Sequence, residues 1–343
     1  MNDGHTAVSE LLGAWALDAC SAEETATVEA HLAGCPACTA EADRLGRAAA
    51  GLGVTVAAAP PRRLRGAVLE AALARRPAAG ADAGAGYAAW VHRFDALLQD
   101  LTPEQWRRRV VHGWSVQDLV AHLSATDELL AAQLAPVPAA APEGPAEADA
   151  ALPARRSAAA IDEHRGRPPE RTRTAWRAQA DRLLRDAARP TALDRPVRLS
   201  DPRLPRQPLW VAIVQRLFET WIHTDDVRGA LGGPPVPPGV EHAALIVAFG
   251  VGLLPAAVRL LGGDQPAGSV RLVLTGPAGG DWTLPLGTGG PASTPAATVT
   301  MDAVEFCYLL GNRRDPGSVA HTVEGDPDLA ATLLRAAATL GCD

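Results

Sequence analysis

Apolar residues recur at helical spacing along most of the chain, which predicts a mainly α-helical fold. The most continuous stripe lies in the segment 209–231 and comprises Trp210, Ile213, Val214, Leu217, Phe218 and Trp221. Shorter stripes predict three earlier helices, over 87–101, from Ser115 onward and over 171–188. Four helices with one long loop, rich in Pro, Ala and Glu over 136–153, predict an antiparallel four-helix bundle.

Strand-like alternation occurs only in the last third of the chain, at Val270–Leu274, Trp282–Leu286 and Ala297–Met301. Helices are predicted to follow, from Asp302 through Leu310 and from Pro327 onward. This order of elements predicts an α+β domain. The most apolar run, 243–261, is interrupted by glycines, a proline and an arginine, so we expect a buried helix and no membrane span.

The first fifty residues carry a separate helical pattern. One helix is predicted to begin near His5, and Ser21 with Glu24 forms a capping box for a second. Proline and glycine punctuate residues 51–83 with little apolar periodicity, which is typical of a linker. We therefore predict domains over 1–50, 84–235 and 240–343, with the linker between the first two.

The composition narrows the function classes. A formal charge of −7 argues against nonspecific nucleic-acid binding. The N-terminus is polar and acidic, so no signal peptide is expected. Five cysteines are an odd number and two have CxxC spacing, which favours a reducing cytoplasm with metal-bound or free thiols over a disulfide framework.

His31, Cys35 and Cys38 form the pattern H-x3-C-x2-C at the end of the second predicted helix. Two thiolates with one or two imidazoles suit tetrahedral zinc. The fourth ligand is either His5 or Cys20, and we favour His5. A free, redox-active CxxC pair is the alternative interpretation.

A second group of possible ligands lies in the bundle. Glu219 and His223 are four residues apart on the most apolar helix, so their side chains share one face. They could bind one divalent metal if another helix supplied a third ligand. His122 lies two turns into the second bundle helix, where a lone histidine is more often a core or capping residue than a metal ligand.

The N-terminal segment resembles the zinc-binding anti-sigma factor domain. The matching stretches are His5, LLGAWALDA (11–19), SAEE (21–24), VEAHLAGCPAC (28–38) and AEADRL (40–45). The resemblance implies a small helical zinc domain that binds a sigma factor, in some members under redox control. Cys20 stands where that family has an apolar residue. Many membrane-bound relatives continue into a spanning helix, which is not predicted here.

Two further stretches, GWSVQDLVAHL (113–123) and FETWIHTDDVRGALG (218–232), resemble the signatures of the mycothiol-dependent maleylpyruvate isomerase family. That family combines a DinB-like metal-binding four-helix bundle with a C-terminal domain similar to sterol carrier proteins. The resemblance spans residues 87–343. By position it implies a metal triad of His122, Glu219 and His223. Asp225 departs from the family, which often has Trp at that position.

The family resemblance also implies the chemistry. A divalent metal with three protein ligands, expected to be zinc from the ligand types, keeps an open position for a thiol, and the cation stabilises the thiolate. The thiol would be mycothiol, which adds to a small electrophile during isomerisation or thiol transfer. The family uses an arginine in its C-terminal domain, and Arg313 is the best positional match, with Arg314 as rival. A guanidinium there could bind a substrate carboxylate, or be an ordinary surface arginine.

Three functional hypotheses follow. The first is a cytoplasmic, mycothiol-using metalloenzyme fused to a small zinc domain. The second is an anti-sigma-like regulator whose bundle senses thiols or metal without turnover. The third is a metal-binding bundle whose zinc domain serves only to form dimers. The sequence does not specify the substrate.

Overall fold

The computed structural model describes residues 3–56, 80–135, 149–189, 191–262, 268–286 and 294–341. The chain divides into two compact units, Met1–Arg76 and Pro77–Asp343. The second unit holds both the helical bundle and the α+β part, which pack against each other.

Within residues 3–56, the first unit contains the helices α1 (Asp3–Ala16), α2 (Ala22–Leu32) and α3 (Pro36–Val56). Ser21 and Glu24 form the predicted capping box at the start of α2. The three helices enclose a small core of Val8, Leu12, Val28, Cys38 and Ala42. Helix α3 extends to Val56, beyond the predicted start of the linker, and most of that linker, residues 57–79, lies outside the described residues.

The bundle in the second unit consists of α4 (Gly80–Gln99), α6 (Val116–Leu134), α8 (Pro169–Ala187) and α9 (Leu209–Ala230). Helix α4 packs along α9 and α8, while α6 packs along α8 and also contacts α9. Large aromatic side chains fill the space between them, namely Trp90, Phe94, Trp176, Phe218 and Trp221. The four predicted helices are thus present, and α4 starts seven residues earlier than its first predicted apolar residue, Tyr87.

Two short elements flank these helices. Helix α5 (Pro103–Trp106) begins with the capping box of Thr102 and Gln105. Helix α7 (Leu152–Arg165) was not predicted, and it lies along α6 with Ser157, Ile161 and His164 as its buried residues. Most of the predicted 136–153 loop, residues 136–148, lies outside the described residues.

A minimal ribbon precedes α9. Strands β1 (Pro196–Val197) and β2 (Gln207–Pro208) pair antiparallel and enclose the segment 198–206. The β2 strand leads directly into α9, so this segment lies beside the first turns of that helix.

Helix α10 (Val240–Leu260) is long and apolar enough to cross a membrane by length and composition alone. Most of its apolar window is nevertheless buried inside the unit, against α9 and the α+β elements. The burial of Ile246, Leu254 and Ala257 confirms the predicted buried helix.

The sheet has the order β4-β3-β5-β6. It comprises β3 (Gly268–Thr275), β4 (Gly280–Leu286), β5 (Ala297–Asp302) and β6 (His321–Gly325), with β3 and β5 parallel and the outer pairs antiparallel. Helices α11 (Ala303–Leu310) and α12 (Pro327–Ala337) pack on it. The three predicted strands and both helices are confirmed, whereas β6 was not predicted.

Candidate metal centres

The first unit brings four predicted ligands together. The possible ligand atoms of His5, His31, Cys35 and Cys38 all lie within 4.8 Å of one another. His5 Nδ1 lies 3.6 Å from Cys35 Sγ and 3.5 Å from Cys38 Sγ. Helix α1 supplies His5, the end of α2 supplies His31, and the cysteines lie just before and within the first turn of α3.

These distances match the geometry of tetrahedral zinc. With the usual Zn–S and Zn–N bond lengths, a sulfur and a nitrogen on the same ion are separated by roughly 3.5 Å. His31 Nε2 is buried and has no hydrogen-bond partner among the described residues, as expected of an atom reserved for a metal. The donor set and its geometry therefore fit zinc.

The two cysteines differ in their electrostatic surroundings. The Cys38 backbone N–H is the main cause that lowers the pKa of the Cys35 thiol. Burial and the neighbouring Cys35 raise the pKa of the Cys38 thiol. Cys20 lies outside this group, with its thiol directed at the Leu11 carbonyl 3.8 Å away. The geometry thus favours His5 over Cys20 as the fourth ligand.

The second candidate centre lies between α6 and α9. The rings of His122 and His223 lie edge to face, with their planes nearly perpendicular and their centroids 5.7 Å apart. Both side chains are almost fully buried, with exposures of 4% and 1%. A nitrogen-bound metal lies roughly 3 Å from each imidazole centroid, so this separation is compatible with one ion between the rings.

The Nδ1 atom of each imidazole is held by a neighbouring side chain. His122 Nδ1 lies 3.0 Å from Ser157 Oγ of α7, and His223 Nδ1 lies 2.9 Å from Asp226 Oδ2 one turn further along α9. Such partners orient metal-binding histidines and leave Nε2 as the coordinating atom. This arrangement suits the predicted pair of imidazole ligands.

Glu219 lies one turn before His223 and is 1% exposed. Its Oε2 forms an ion pair with Arg216, which also lies 3.8 Å from Asp127. Its Oε1 accepts a hydrogen bond of 3.4 Å from Ser200. Coordination by Glu219 would therefore use Oε1, or would require the carboxylate to turn away from Arg216.

The bundle triad is less compact than the N-terminal cluster. Among the described ranges, only the N-terminal four have all their possible ligand atoms within 4.8 Å of one another. The Arg216 ion pair explains this, because a buried carboxylate needs a counter-charge and Glu219 takes it from its own helix. The assignment of His122, Glu219 and His223 as ligands stays a prediction.

Arg313 lies behind His223. Its Nε donates to Asp226 Oδ1 at 2.8 Å and its Nη2 to Asp226 Oδ2 at 2.6 Å, and Nη1 donates to the Gly311 carbonyl. Arg313 therefore contacts the carboxylate that holds His223, and its predicted role as a clamp for substrate stays untested. Arg314 instead pairs with Glu305 and stacks over Tyr308.

Asp225, the departure from the family pattern, joins the bundle to the α+β part. One oxygen accepts the Val236 backbone N–H at 2.6 Å, and the other accepts the Tyr308 hydroxyl at 3.1 Å. Burial and the adjacent Asp225 raise the pKa of Tyr308, so it stays a hydrogen-bond donor. Asp225 therefore has a structural role in this arrangement.

Two cavities adjoin the bundle centre. The larger, of about 660 Å³, is lined by His122, Trp114, Ser157, Arg165 and Arg203, among others. The smaller, of about 340 Å³, lies between α6, α7, α9 and the segment 198–206. Thr126, Pro153, Ser200 and Pro202 line both, so the two cavities adjoin each other.

Several polar residues around the centre were not predicted, namely Asp127, Ser157, Ser200, Arg216 and Asp226. Asp226 and Arg216 each lie three residues from a predicted ligand on α9, so helical spacing could have identified them. Asp127 also contacts Tyr87 at 2.7 Å, and burial raises the pKa of Asp127 to about 7 although Arg216 and Tyr87 lower it. The ionised form is favoured less there than at the surface.

Comparison with known families gives two matches. The model of the family described as "Mycothiol maleylpyruvate isomerase N-terminal domain" matches residues 87–228. The model of the family described as "Putative zinc-finger" matches residues 6–39. The first match contains all three predicted bundle ligands, and the second contains His31, Cys35 and Cys38.

The chain also resembles proteins from Mycobacterium tuberculosis. Uncharacterized proteins from two strains are each 30% identical over 231 residues, covering 64% of this chain and 80% of the relative. Among solved structures, the mycothiol-dependent maleylpyruvate isomerase shares 14% identity with a TM-score of 0.48. A mutant of that enzyme shares 13% identity with a TM-score of 0.49, and both alignments cover 71% of this chain and 92% of the other.

Proposed function

Because this chain belongs to the mycothiol maleylpyruvate isomerase family, we propose that its second unit is a metal-dependent enzyme that uses mycothiol. The reaction class is addition of the thiol to a small electrophile, leading to isomerisation or thiol transfer. The observation that supports this most is the buried pair of His122 and His223. Their rings lie edge to face, each Nδ1 atom contacts a neighbouring side chain, and His122 lines a cavity.

In this proposal His122, Glu219 and His223 hold one divalent metal, with zinc as the first choice for this donor set. When bound, the metal supplies a positive charge that lowers the pKa of a coordinated thiol. Asp226 and Ser157 orient the two imidazoles. Arg216 balances the negative charge of Glu219 until that carboxylate binds the metal.

The larger cavity is the proposed entrance for the thiol cosubstrate. His122 and Trp114 form part of its wall next to the ligands, with their rings 5.0 Å apart. Arg165, Arg203, Asp162 and Asp201 line it as well, so its surface is rich in hydrogen-bonding groups. A sugar-linked thiol needs such groups for its hydroxyls.

The first unit is proposed to hold a structural zinc ion through His5, His31, Cys35 and Cys38. Its hydrophobic core contains few side chains, and domains of this size often need a metal to fold stably. The whole protein is proposed to act in the cytoplasm, where reduced thiols are available to both centres.

A regulatory function is the second candidate. The zinc-finger match over residues 6–39 and the compact His/Cys cluster favour an anti-sigma-like first unit that binds a sigma factor. In that case the bundle would sense metal or thiols without turnover. Copurification of a sigma factor with the full chain, lost when His31 is replaced by Ala, would support this candidate.

The enzymatic proposal is tested by metal analysis together with a thiol-transfer assay. The wild-type chain is expected to bind two zinc ions, and His122→Ala and Glu219→Ala to bind one. Both variants should lose metal-dependent consumption of mycothiol in the presence of an activated electrophile. If both variants keep two ions per folded chain, the assignment of the bundle centre is wrong.

A further inference from the structure

The smaller cavity differs from the larger one in the side chains that line it. Apolar side chains make up much of its wall, namely Leu129, Leu130, Leu152, Pro153, Leu199 and Ala212. Its volume of about 340 Å³ is in the range of small-molecule sites and suits one or two fused rings or a short branched chain. A cavity of this composition binds an apolar body in preference to a sugar.

The charged groups that line this cavity are mainly cationic. Arg198 and Arg206 line it from the segment 198–206, and Arg216 lines it from α9. Asp149, the one acidic residue among the described residues that line it, is paired with Arg155. Arg206 is exposed and donates to the Pro196 carbonyl at 3.4 Å, and no carboxylate of the described residues lies within ion-pair distance of it. An anionic group on a ligand would therefore be favoured here.

The position of the cavity connects it to the proposed reaction centre. Ser200 lines both cavities, and its hydroxyl donates to Glu219 at 3.4 Å. Thr126 also lines both and lies one turn after His122 on α6. A molecule in the smaller cavity and a thiol in the larger one would thus approach the same ligands from two sides.

We propose that the smaller cavity binds the electrophilic substrate, and that this substrate is an apolar carboxylic acid whose carboxylate lies near Arg206. That the bound acid reacts with the thiol rests on the proposed function, whereas binding of the acid does not depend on it. The proposed substrate differs from a short dicarboxylate such as maleylpyruvate, which would not contact the leucine-lined wall of the cavity. Thiol and acid would then occupy adjoining cavities that meet at Thr126 and Ser200.

The test measures binding of 2-naphthoate, a nonreactive aryl acid, and of the neutral 2-naphthamide to the full chain by isothermal titration calorimetry. We expect the acid to bind about tenfold more tightly than the amide, since a charge-assisted hydrogen bond contributes on that order. Arg206→Ala should remove most of this preference without changing amide affinity.

Arg203→Ala is the matched control. Arg203 lies in the same loop and is also exposed, but it lines only the larger cavity and pairs with Asp201. This variant should keep the preference for the acid. If Arg203→Ala loses the preference and Arg206→Ala keeps it, or if acid and amide bind equally to the wild-type chain, the proposal is wrong.

Two further measurements place the ligand. Ala212→Phe should fill the cavity and weaken both ligands, and Leu129→Phe gives a second filling variant if the first does not fold. Binding should be unchanged in His122→Ala and after treatment with a chelator. A loss of naphthoate binding on chelation would mean that the acid binds the metal, which overturns the cavity assignment. Unchanged zinc content in His122→Ala would instead count against the proposed function alone.

Discussion

Arg313 and His223 bind the same carboxylate, Asp226, although one follows α11 and the other lies on α9. Burial would raise the pKa of Asp226, but the hydrogen bonds from Arg313 and His223 outweigh it and lower the pKa to about 2. The carboxylate is therefore ionised at neutral pH. The α+β part thus stabilises the orientation of a predicted metal ligand in the bundle.

The first prediction concerns this contact. Asp226→Asn should weaken zinc binding at the bundle centre by about 10- to 100-fold, because it removes the charge behind His223 and half of the contact with Arg313. Arg313→Ala should weaken it less, since Asp226 keeps its bond to His223. Competition with a chromophoric chelator measures both affinities.

Arg314→Ala is the control for these variants. Arg314 is adjacent to Arg313, but it pairs with Glu305 and stacks on the Tyr308 ring 4.5 Å away. Its removal should leave zinc affinity at wild-type level. Equal losses in Arg313→Ala and Arg314→Ala would show that the loop matters only for folding.

The second prediction concerns the first unit. Cys38→Ser should remove one zinc ion per chain and unfold α1–α3, because an ion bound to the predicted cluster would join all three helices and the apolar core there is small. Cys20→Ser should keep both the ion and the fold, since Cys20 lies outside the cluster. Elemental analysis and helix content by circular dichroism report the two effects. A zinc loss in Cys20→Ser would contradict the choice of His5.

Much of the fold follows from periodicity, and the exceptions have physical causes. Helix α9 was predicted because its apolar stripe is continuous, whereas α7 has only Ser157, Ile161 and His164 buried and so gives little periodic signal. Strand β6 is an edge strand with four of its five residues exposed, so it shows no alternation. Ser157 was missed as a partner of His122 because its helix was missed.

The two candidate centres also differ in how far the sequence could predict them. The predicted N-terminal ligands lie within one short stretch plus His5, so spacing alone indicated a cluster that the structure brings together. The bundle triad joins residues from distant helices, and only the family resemblance connected His122 to α9. The ion pair between Arg216 and Glu219 depends on which side chains are buried together, which no local pattern reveals.

The third prediction concerns pH. Asp118 caps α6 together with Ser115 and pairs with Arg165. Burial would raise the pKa of Asp118, but the Ser115 backbone N–H and Arg165 outweigh it and lower the pKa. A lowered folded-state pKa stabilises the fold above the unfolded value of about 3.9, and this contribution disappears as the pH falls through the folded value.

Asp118→Asn should therefore lower the free energy of unfolding by about 1–2 kcal/mol at pH 7. The difference from wild type should shrink below about pH 4, where Asp118 of the unfolded chain becomes protonated while folded Asp118 is still ionised. Urea unfolding followed by tryptophan fluorescence at both pH values measures it. Asp162→Asn is the control, because Asp162 also pairs with Arg165 but is largely exposed, and it should change stability little. A constant difference across this range would exclude the linkage.

The fourth prediction separates two glycines in α4, Gly84 and Gly86. Alanine is favoured over glycine inside a helix by about 0.5–1 kcal/mol, so Gly84→Ala, with open space around it, should raise the free energy of unfolding. At Gly86 the added methyl would overlap Leu217 of α9 and lie 3.1 Å from His242. Gly86→Ala should therefore lower the free energy of unfolding by about 1–3 kcal/mol. Equal stabilisation of both variants in urea titrations would show that α4 and α9 do not approach closely at Gly86.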